Sequence, residues 1–319
     1  MVQSTHHALR KASLIGAALM ACASVFAAQD YPTRPITMVV PYGIGGTTDL
    51  SARKLASLAQ EALGQPIVIE NRLGGSGAIA MRTVAHAKPD GYTLIATTSS
   101  PLFVTPAVRP VGYQPLEDFT PIMNYSGPYH GVLVTADSPY HSIKEVIDSA
   151  LAGTTIRYGT AGALGGPHMA FELIANETGA PLKHIPFNGA ASTTAALLNG
   201  RIDMALVPAY RDLVESGQLT LLGVLDNARD PDFEQVATLS EAGYDVSFPS
   251  VVGILAPAGT QDEIVSKLEK VFIDAASSGE FIAFMNRINQ PVRIMTGQDL
   301  GKQIKANLAT YRALIEQLH

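Results

Sequence analysis

The chain has 319 residues, 47% of them hydrophobic and 16% charged, enough apolar material for a sizeable core and for two domains rather than one. A formal net charge of −6, with no basic run in the body of the chain, excludes nucleic acid and anionic membrane surfaces as electrostatic partners. One cysteine, Cys22, leaves no room for a disulfide framework or a cysteine-based metal site.

Residues 1–27 read as an export signal. Arg10 and Lys11 precede an apolar run over 12–23 that is too short for a comfortable membrane span, and Val25-Phe26-Ala27 resembles a small-residue cleavage site. Cleavage after Ala27 leaves a mature chain without thiols and places it in a bacterial periplasm. Leu19-Met20-Ala21-Cys22 loosely resembles a lipoprotein cleavage box, although Met20 is bulky for its position.

Residues 36–64 read as a strand, a glycine turn and a helix. The apolar run 36–40 suits a buried strand, and Pro41 stops it. Tyr42-Gly43-Ile44-Gly45-Gly46 forms the turn. Leu50, Leu55, Leu58, Ala59, Ala62 and Leu63 then recur at helical spacing, with Thr47, Thr48 or Asp49 as N-cap and Gly64 past the end. The first amides of such a helix have no intrahelical partner, so a small anion fits there. A tight strand-to-helix turn needs glycine in any case, so the pattern alone leaves both readings open. No Lys-Ser or Lys-Thr follows the glycines, which excludes a nucleotide P-loop, and Asp49 argues against a highly charged ligand.

Short apolar strands alternate with helical stretches downstream, the pattern of βαβ units and a largely parallel sheet. Strands are expected over 65–70 and 92–96, with a helix over 77–87 between them. Thr97, Thr98, Ser99 and Ser100 form a polar strand end that faces the same way as the glycine turn, a second ligand wall. Residues 105–121 are proline-rich and without periodicity, and read as an extended connection. A strand over 131–135 opens a second domain, followed by a helix over 142–151 with Ser142 as N-cap and Glu145 in the capping-box position.

The opening design then recurs. A strand over 155–158 leads into Gly159-Thr160-Ala161-Gly162-Ala163-Leu164-Gly165-Gly166, and Pro167 starts a helix that Gly179 ends. If the two domains face each other, both helix N-termini point into one cleft. Further strands are expected over 182–186, 202–207 and 219–225, with Asn188-Gly189 and a helix over 191–199 between the first two. Pro208, Ala209 and Tyr210 lie at a strand's carboxyl end, where open α/β sheets bind ligands. Residues 247–255 read as the return crossing. Thr260-Gln261-Asp262-Glu263 reads as a capping box for a helix to 276, and helices over 280–289 and 297–317 close the chain. The organisation is a signal peptide at 1–27, a discontinuous first domain at 28–125 plus 249–319, and a second at 126–248.

Several segments together resemble one family, the solute-binding proteins of tripartite tricarboxylate transporters, also known as Bug or TctC-type receptors. The resemblance covers the mature chain. It rests on Tyr31-Pro32-Thr33-Arg34-Pro35-Ile36, Val40-Pro41-Tyr42 with Gly45-Gly46-Thr47-Thr48-Asp49, Gly64-Gln65-Pro66 and Glu70-Asn71-Arg72. It rests further on Pro89-Asp90-Gly91-Tyr92, Asp118-Phe119-Thr120-Pro121, Tyr158-Gly159-Thr160-Ala161-Gly162 with His168, Glu241-Ala242-Gly243 and Leu255-Ala256-Pro257-Ala258-Gly259-Thr260.

The resemblance implies a two-lobed periplasmic binding protein of the type II fold, each lobe a mostly parallel sheet flanked by helices. It implies a monomer, without a cofactor, that hands a small organic carboxylate to the membrane subunits of the transporter. It also implies that the glycine loops at 42–49 and 160–168 clamp a carboxylate through backbone amides and water. Two departures bear on the ligand. Ala163-Leu164-Gly165-Gly166-Pro167 stands where small polar residues are usual, and Val207-Pro208-Ala209-Tyr210 where many relatives carry an Asp and an Asn. The first leaves fewer side-chain hydroxyls to reach the ligand, and the second disfavours an amino-acid ligand. Tyr42, Leu164, Phe187 and Tyr210 suit a flatter or more apolar acid such as terephthalate, with core packing of those side chains as the competing reading.

His168 either donates to the carboxylate or supports its loop. His130, His141 and His184 show no metal-ligand spacing. A hydrolase using Ser99 or Ser192 with His168 lacks any nucleophile-elbow motif. A sensor that signals to a histidine kinase has the same sequence requirements as a transport receptor.

Overall fold

The computed structural model describes residues 31–163, 165–187 and 189–317. Residues 1–27, read above as an export signal, lie outside them with Cys22, as do Leu164 and Asn188. Ile36, Met38, Val39 and Val40 are buried on both faces of β1 (Ile36–Val40), which is why this strand reads as a continuous apolar run. After the glycine turn comes α1 (Thr47–Leu63), which ends on Gly64 in the left-handed conformation.

The chain continues with β2 (Ile67–Asn71), α2 (Ala78–Ala85) and β3 (Thr93–Thr98). α1 and α2 carry the chain to opposite sides of β1, giving the order β3-β1-β2 with both pairings parallel. A helical turn over Ser100–Val104 and α3 (Thr105–Val108) precede β4 (Phe119–Ser126).

The second sheet repeats this plan. It comprises β5 (Gly131–Thr135), α4 (Ile143–Leu151), β6 (Ile156–Thr160), α5 (Gly166–Thr178), β7 (Leu182–Pro186), α6 (Ala190–Leu198), β8 (Met204–Val207), α7 (Arg211–Glu215) and β9 (Leu219–Val224). Its order is β7-β6-β8-β5-β9, with β6 parallel to β7 and β8. The chain returns through β10 (Val252–Pro257), α8 (Asp262–Ala276), α9 (Gly279–Arg287), β11 (Val292–Thr296) and α10 (Gly297–Gln317). The first sheet is completed as β11-β4-β10-β3-β1-β2.

The parallel half of each sheet is the βαβαβ unit expected from the alternation of strands and helices. The other half is antiparallel. β10 runs against β3 and β4, and β5 against β8 and β9. Both β5 and β10 are entered from a segment that crosses between the sheets, and each therefore begins at the end where its parallel neighbours finish.

The proline-rich stretch is not an extended connection. Its start is helical and its end, from Phe119, is a strand in the interior of the sheet. Pro121 is tolerated there because the register with β10 shifts between Ile254 and Leu255, a bulge that spares a ladder donor. Two expected caps also differ. Gly46 precedes α1 with no side-chain cap, and Gln261 rather than Thr260 precedes α8, the Thr260 hydroxyl donating to Pro257 O at 2.8 Å. At α4, Ser142 does cap the Glu145 amide, but the Glu145 carboxylate accepts from His141 N–H, one residue before the expected partner.

The two crossing segments lie against each other so closely at Gly127 and Ser250 that a Cβ on residue 127 would overlap the Ser250 carbonyl oxygen. Beside them Arg293 of β11 meets Asp226, the second residue after β9. Its guanidinium Nη1 is 2.6 Å from Asp226 Oδ2 and 3.3 Å from Gly127 O, and its Cζ lies 4.7 Å from the centre of the Tyr129 ring. The Asp226 side chain is fully buried and that of Arg293 is 14% exposed.

Asp226→Ala leaves a buried guanidinium without its counter-charge and is expected to cost about 3–5 kcal/mol in denaturant unfolding. A double variant with Arg293→Met should recover part of that loss. A single variant of unchanged stability would show that the pair does not hold the sheets together.

Candidate functional site

The first glycine turn is built around Asp49. Its carboxylate is buried, accepts the Gly45 N–H at 2.9 Å and bonds Arg53 Nε at 3.0 Å and Asn71 Nδ2 at 2.8 Å, while Asn71 also donates to Tyr42 O at 2.9 Å. Burial by itself raises the carboxyl, but these donors outweigh it and hold its pKa below the ordinary carboxylate value. Asp49 therefore fastens the turn rather than capping the helix, and Arg53 neutralises it.

Tyr42 points its hydroxyl at Thr98 Oγ1. Gly43 accepts from Gly46 N–H at 3.2 Å, Gly45 takes a positive φ of 83°, and Ile44 is 80% exposed. The first intrahelical bond of α1 runs from Leu50 N–H to Gly46 O, so the amides of Thr47 and Thr48 precede the helical ladder.

The second loop is fastened differently. Thr160 Oγ1 donates to Gly162 O at 2.6 Å and lies 2.7 Å from His184 Nε2. The threonine's one hydrogen goes to the carbonyl, so His184 Nε2–H is the donor in the second bond. The His184 ring stacks on His168 with centroids 3.7 Å apart. His168 Nε2 is 3.4 Å from Glu172 Oε1, and that oxygen also accepts from the Tyr158 hydroxyl at 2.7 Å. These contacts tie the base of the loop to the side of α5.

Gly165 precedes α5 in an extended conformation, Pro167 sits in its first turn, and the first intrahelical bond is Met169 N–H to Gly165 O. A Cβ on Gly166 would lie 2.5 Å from the Tyr311 hydroxyl and 3.1 Å from Phe248 Cβ.

Both helix N-termini open onto one cavity of about 260 Å³. Thr47 and Thr48 contribute from α1, and Gly165, Gly166 and Pro167 from α5. Thr98, Ser99 and Ser100 form the wall expected at the end of β3. Phe103, Phe248 and Tyr311 supply an aromatic floor, with ring centroids 5.6 Å apart for Phe103 and Tyr311 and 4.8 Å for Phe248 and Tyr311. His130, Ser250 and Gln290 complete the polar rim. Among the described residues that line the cavity none is Asp, Glu, Lys or Arg.

Other expected residues are placed elsewhere. Tyr42, Gly43, Ile44, Gly45, Gly46 and Asp49 shape the turn behind the lining, as Thr160, Ala161, Gly162 and His168 do for the second loop. Thr97 is fully buried, and its hydroxyl has no partner among the described residues. The Tyr210 hydroxyl donates to Asp230 at 2.6 Å, and its ring packs on Phe233 in the core of the second sheet. With Ala209 it borders a separate hollow of about 50 Å³ rather than the cavity at the helix N-termini, and Pro208 borders neither.

Sequence reasoning missed Phe103, His130, Phe248, Ser250, Gln290 and Tyr311. The rule that ligands sit beyond the carboxyl ends of parallel strands points to Phe103, just after β3. Nothing local marks the others.

A model of the tripartite tricarboxylate transporter family receptor matches residues 51–319. The chain belongs to that family. It is 36% identical over 266 residues to the protein BugT of Bordetella pertussis, covering 80% of each chain. It is similar in structure to a TctC solute-binding protein from Polaromonas solved with no ligand, with a TM-score of 0.82 and 31% identity over 90% of this chain and 99% of that one. An R. palustris protein solved with adipate gives a TM-score of 0.74 and 31% identity over 90% and 98%.

This is the two-lobed fold of a solute-binding receptor rather than of an enzyme. The hydrolase reading has no geometry to support it. Ser99 Oγ accepts the Val251 N–H, Ser192 Oγ donates to Gly189 O, and His168 lies in the histidine stack.

The stack predicts a pH dependence. Desolvation, aided by the neighbouring His168, pushes the His184 pKa down to about 4. An unfolded histidine titrates near ~6.5, so between these values the unfolded chain binds more protons and stability falls as pH is lowered. Thermal melts from pH 7.5 to 4.5 should show a falling Tm, with a shallower slope in His184→Phe. An unchanged slope would remove the stack from the account.

Proposed function

We propose that the protein is exported through residues 1–27 and captures a small organic carboxylate in the cavity between its lobes. It then presents that acid to the membrane subunits of a tripartite tricarboxylate transporter. The observation that carries this reading is the convergence of two helix N-termini, at Thr47 and Thr48 and at Gly165 and Gly166, on one cavity with no charged side chain among the described residues that line it. Helix N-termini favour an anion through their unpaired amides and the helix dipole. Three or four charge-assisted hydrogen bonds of ~1.5–3 kcal/mol each, less the cost of immobilising the ligand, are compatible with micromolar affinity, about −8 kcal/mol.

The same lining narrows the ligand class. An ammonium group wants a carboxylate beside it, and the described lining offers none, which argues against amino acids. Phe103, Phe248 and Tyr311 favour a flat or apolar body, as in terephthalate or an aliphatic diacid, and adipate is the ligand of one structural neighbour.

Isothermal titration with terephthalate, adipate, nicotinate and aspartate is expected to give micromolar binding of at least one of the first three, with aspartate at least about tenfold weaker. Tight binding of aspartate alone would overturn the ligand class. Gly166→Ala should weaken every acid by about tenfold or more, because the added methyl meets the Tyr311 hydroxyl and Phe248 and forces the helix end away from the cavity.

A further inference from the structure

Most polar groups of the cavity are already engaged within the protein. The Thr98 hydroxyl is shared with Tyr42, Ser99 Oγ accepts from Val251 N–H, and the Gln290 amide donates to Asn289 O at 2.9 Å. The Tyr311 hydroxyl lies against Gly166, at the helix-terminus end.

His130 differs from these. It immediately precedes β5, on the segment that crosses from the first sheet to the second, and Ser250 lies on the returning segment just before β10. Because β5 and β10 begin where their parallel neighbours end, both residues reach the cavity from the hinge, whereas the two helix termini reach it from the lobes. His130 Nδ1 is 3.3 Å from Ser250 Oγ, and no partner is found for Nε2 among the described residues. Burial pushes the imidazole pKa down to about 4, so at neutral pH the ring is uncharged and offers one N–H. Of the two tautomers this contact allows, the one in which the Ser250 hydroxyl donates to Nδ1 puts that N–H on Nε2.

We propose that His130, oriented by Ser250, selects acids that carry a second oxygen acceptor, its Nε2–H donating to the end of the ligand remote from the carboxylate at the two helix N-termini. This rests on the carboxylate reading above. It assigns the far end of the ligand to a hinge residue, so that recognition of the whole acid and approach of the lobes depend on the same segment. Ser250 acts as a positioning residue that fixes which imidazole nitrogen bears the hydrogen.

Three six-carbon acids separate the possibilities by titration calorimetry. Adipate carries a second carboxylate, its monoamide a neutral acceptor at the same place, and hexanoate neither. The parent protein is expected to bind adipate and the monoamide about tenfold or more tighter than hexanoate, the effect of one good hydrogen bond. In His130→Leu the preference should collapse to less than about threefold. His130→Gln, whose amide nitrogen falls near the place of Nε2, should keep most of it, and Ser250→Ala should lower it to an intermediate value.

Circular dichroism checks each fold, and the Gln and Ala variants carry the test if the Leu variant does not fold. Equal binding of hexanoate and adipate by the parent, or an undiminished preference in His130→Leu, would overturn this inference alone. Failure of all three six-carbon acids to bind the parent would overturn this inference, and failure of terephthalate and nicotinate as well would overturn the carboxylate reading with it.

Discussion

The contact on which the two-lobed arrangement depends is the ion pair of Arg293 and Asp226. It joins a strand of the first sheet to the segment that leaves the second, beside the place where the crossing segments touch at Gly127 and Ser250. Both charges are largely withdrawn from water, and such a pair adds little net stability over apolar residues of the same size. Loss of either partner alone is costly, because the other charge is left buried. The pair therefore acts less as an adhesive than as a constraint on where the crossing segments lie. From that constraint follow the positions of His130 and Ser250, and with them the hinge side of the cavity.

Around this fixed hinge the two βαβαβ units present equivalent ends. In each, the helices leave the central strand in opposite directions, which opens a crevice beyond the carboxyl ends of the strands. The glycine loops lie there because the chain must turn from strand to helix in a few residues. The result is two helix N-termini aimed at one space. Asp49, which by sequence alone argues against a highly charged ligand, has its charge absorbed by Arg53 and Asn71 behind the turn. The cavity is left with neutral donors. Such a lining suits the carboxylate proposed above, which dipoles and amides rather than a buried counter-charge would hold.

Much of this was legible in the sequence. The strand over 36–40, the helix ends at Gly64 and Gly179, and the repetition of a strand, glycine loop and helix are local events, set by glycine's access to left-handed backbone and by the spacing of apolar residues. They identified the two loops before any tertiary contact was known. Tyr31 to Ile36, the Tyr158 to Gly162 motif and the other family segments added the two-lobed plan. The strands β4 and β11 were not legible. β4 carries Pro121 and is rescued by a bulge that exists only opposite β10, and β11 is a partly exposed edge strand of five residues, too short to establish a period.

The sequence by itself determined which backbone segments end in free helix amides, because capping and turn formation are settled within a few residues. Only the tertiary structure decided which side chains face those amides. Tyr210, placed at a strand end where a ligand was expected, turns away because Asp230 and Phe233 offer its hydroxyl and its ring partners in the core. Phe248, Tyr311 and His130 enter the cavity from a crossing segment, the last helix and the hinge, positions separated by up to 181 residues in the chain. Their meeting is fixed by sheet order and by the buried pair at the hinge, and neither leaves a periodic or local mark on the sequence.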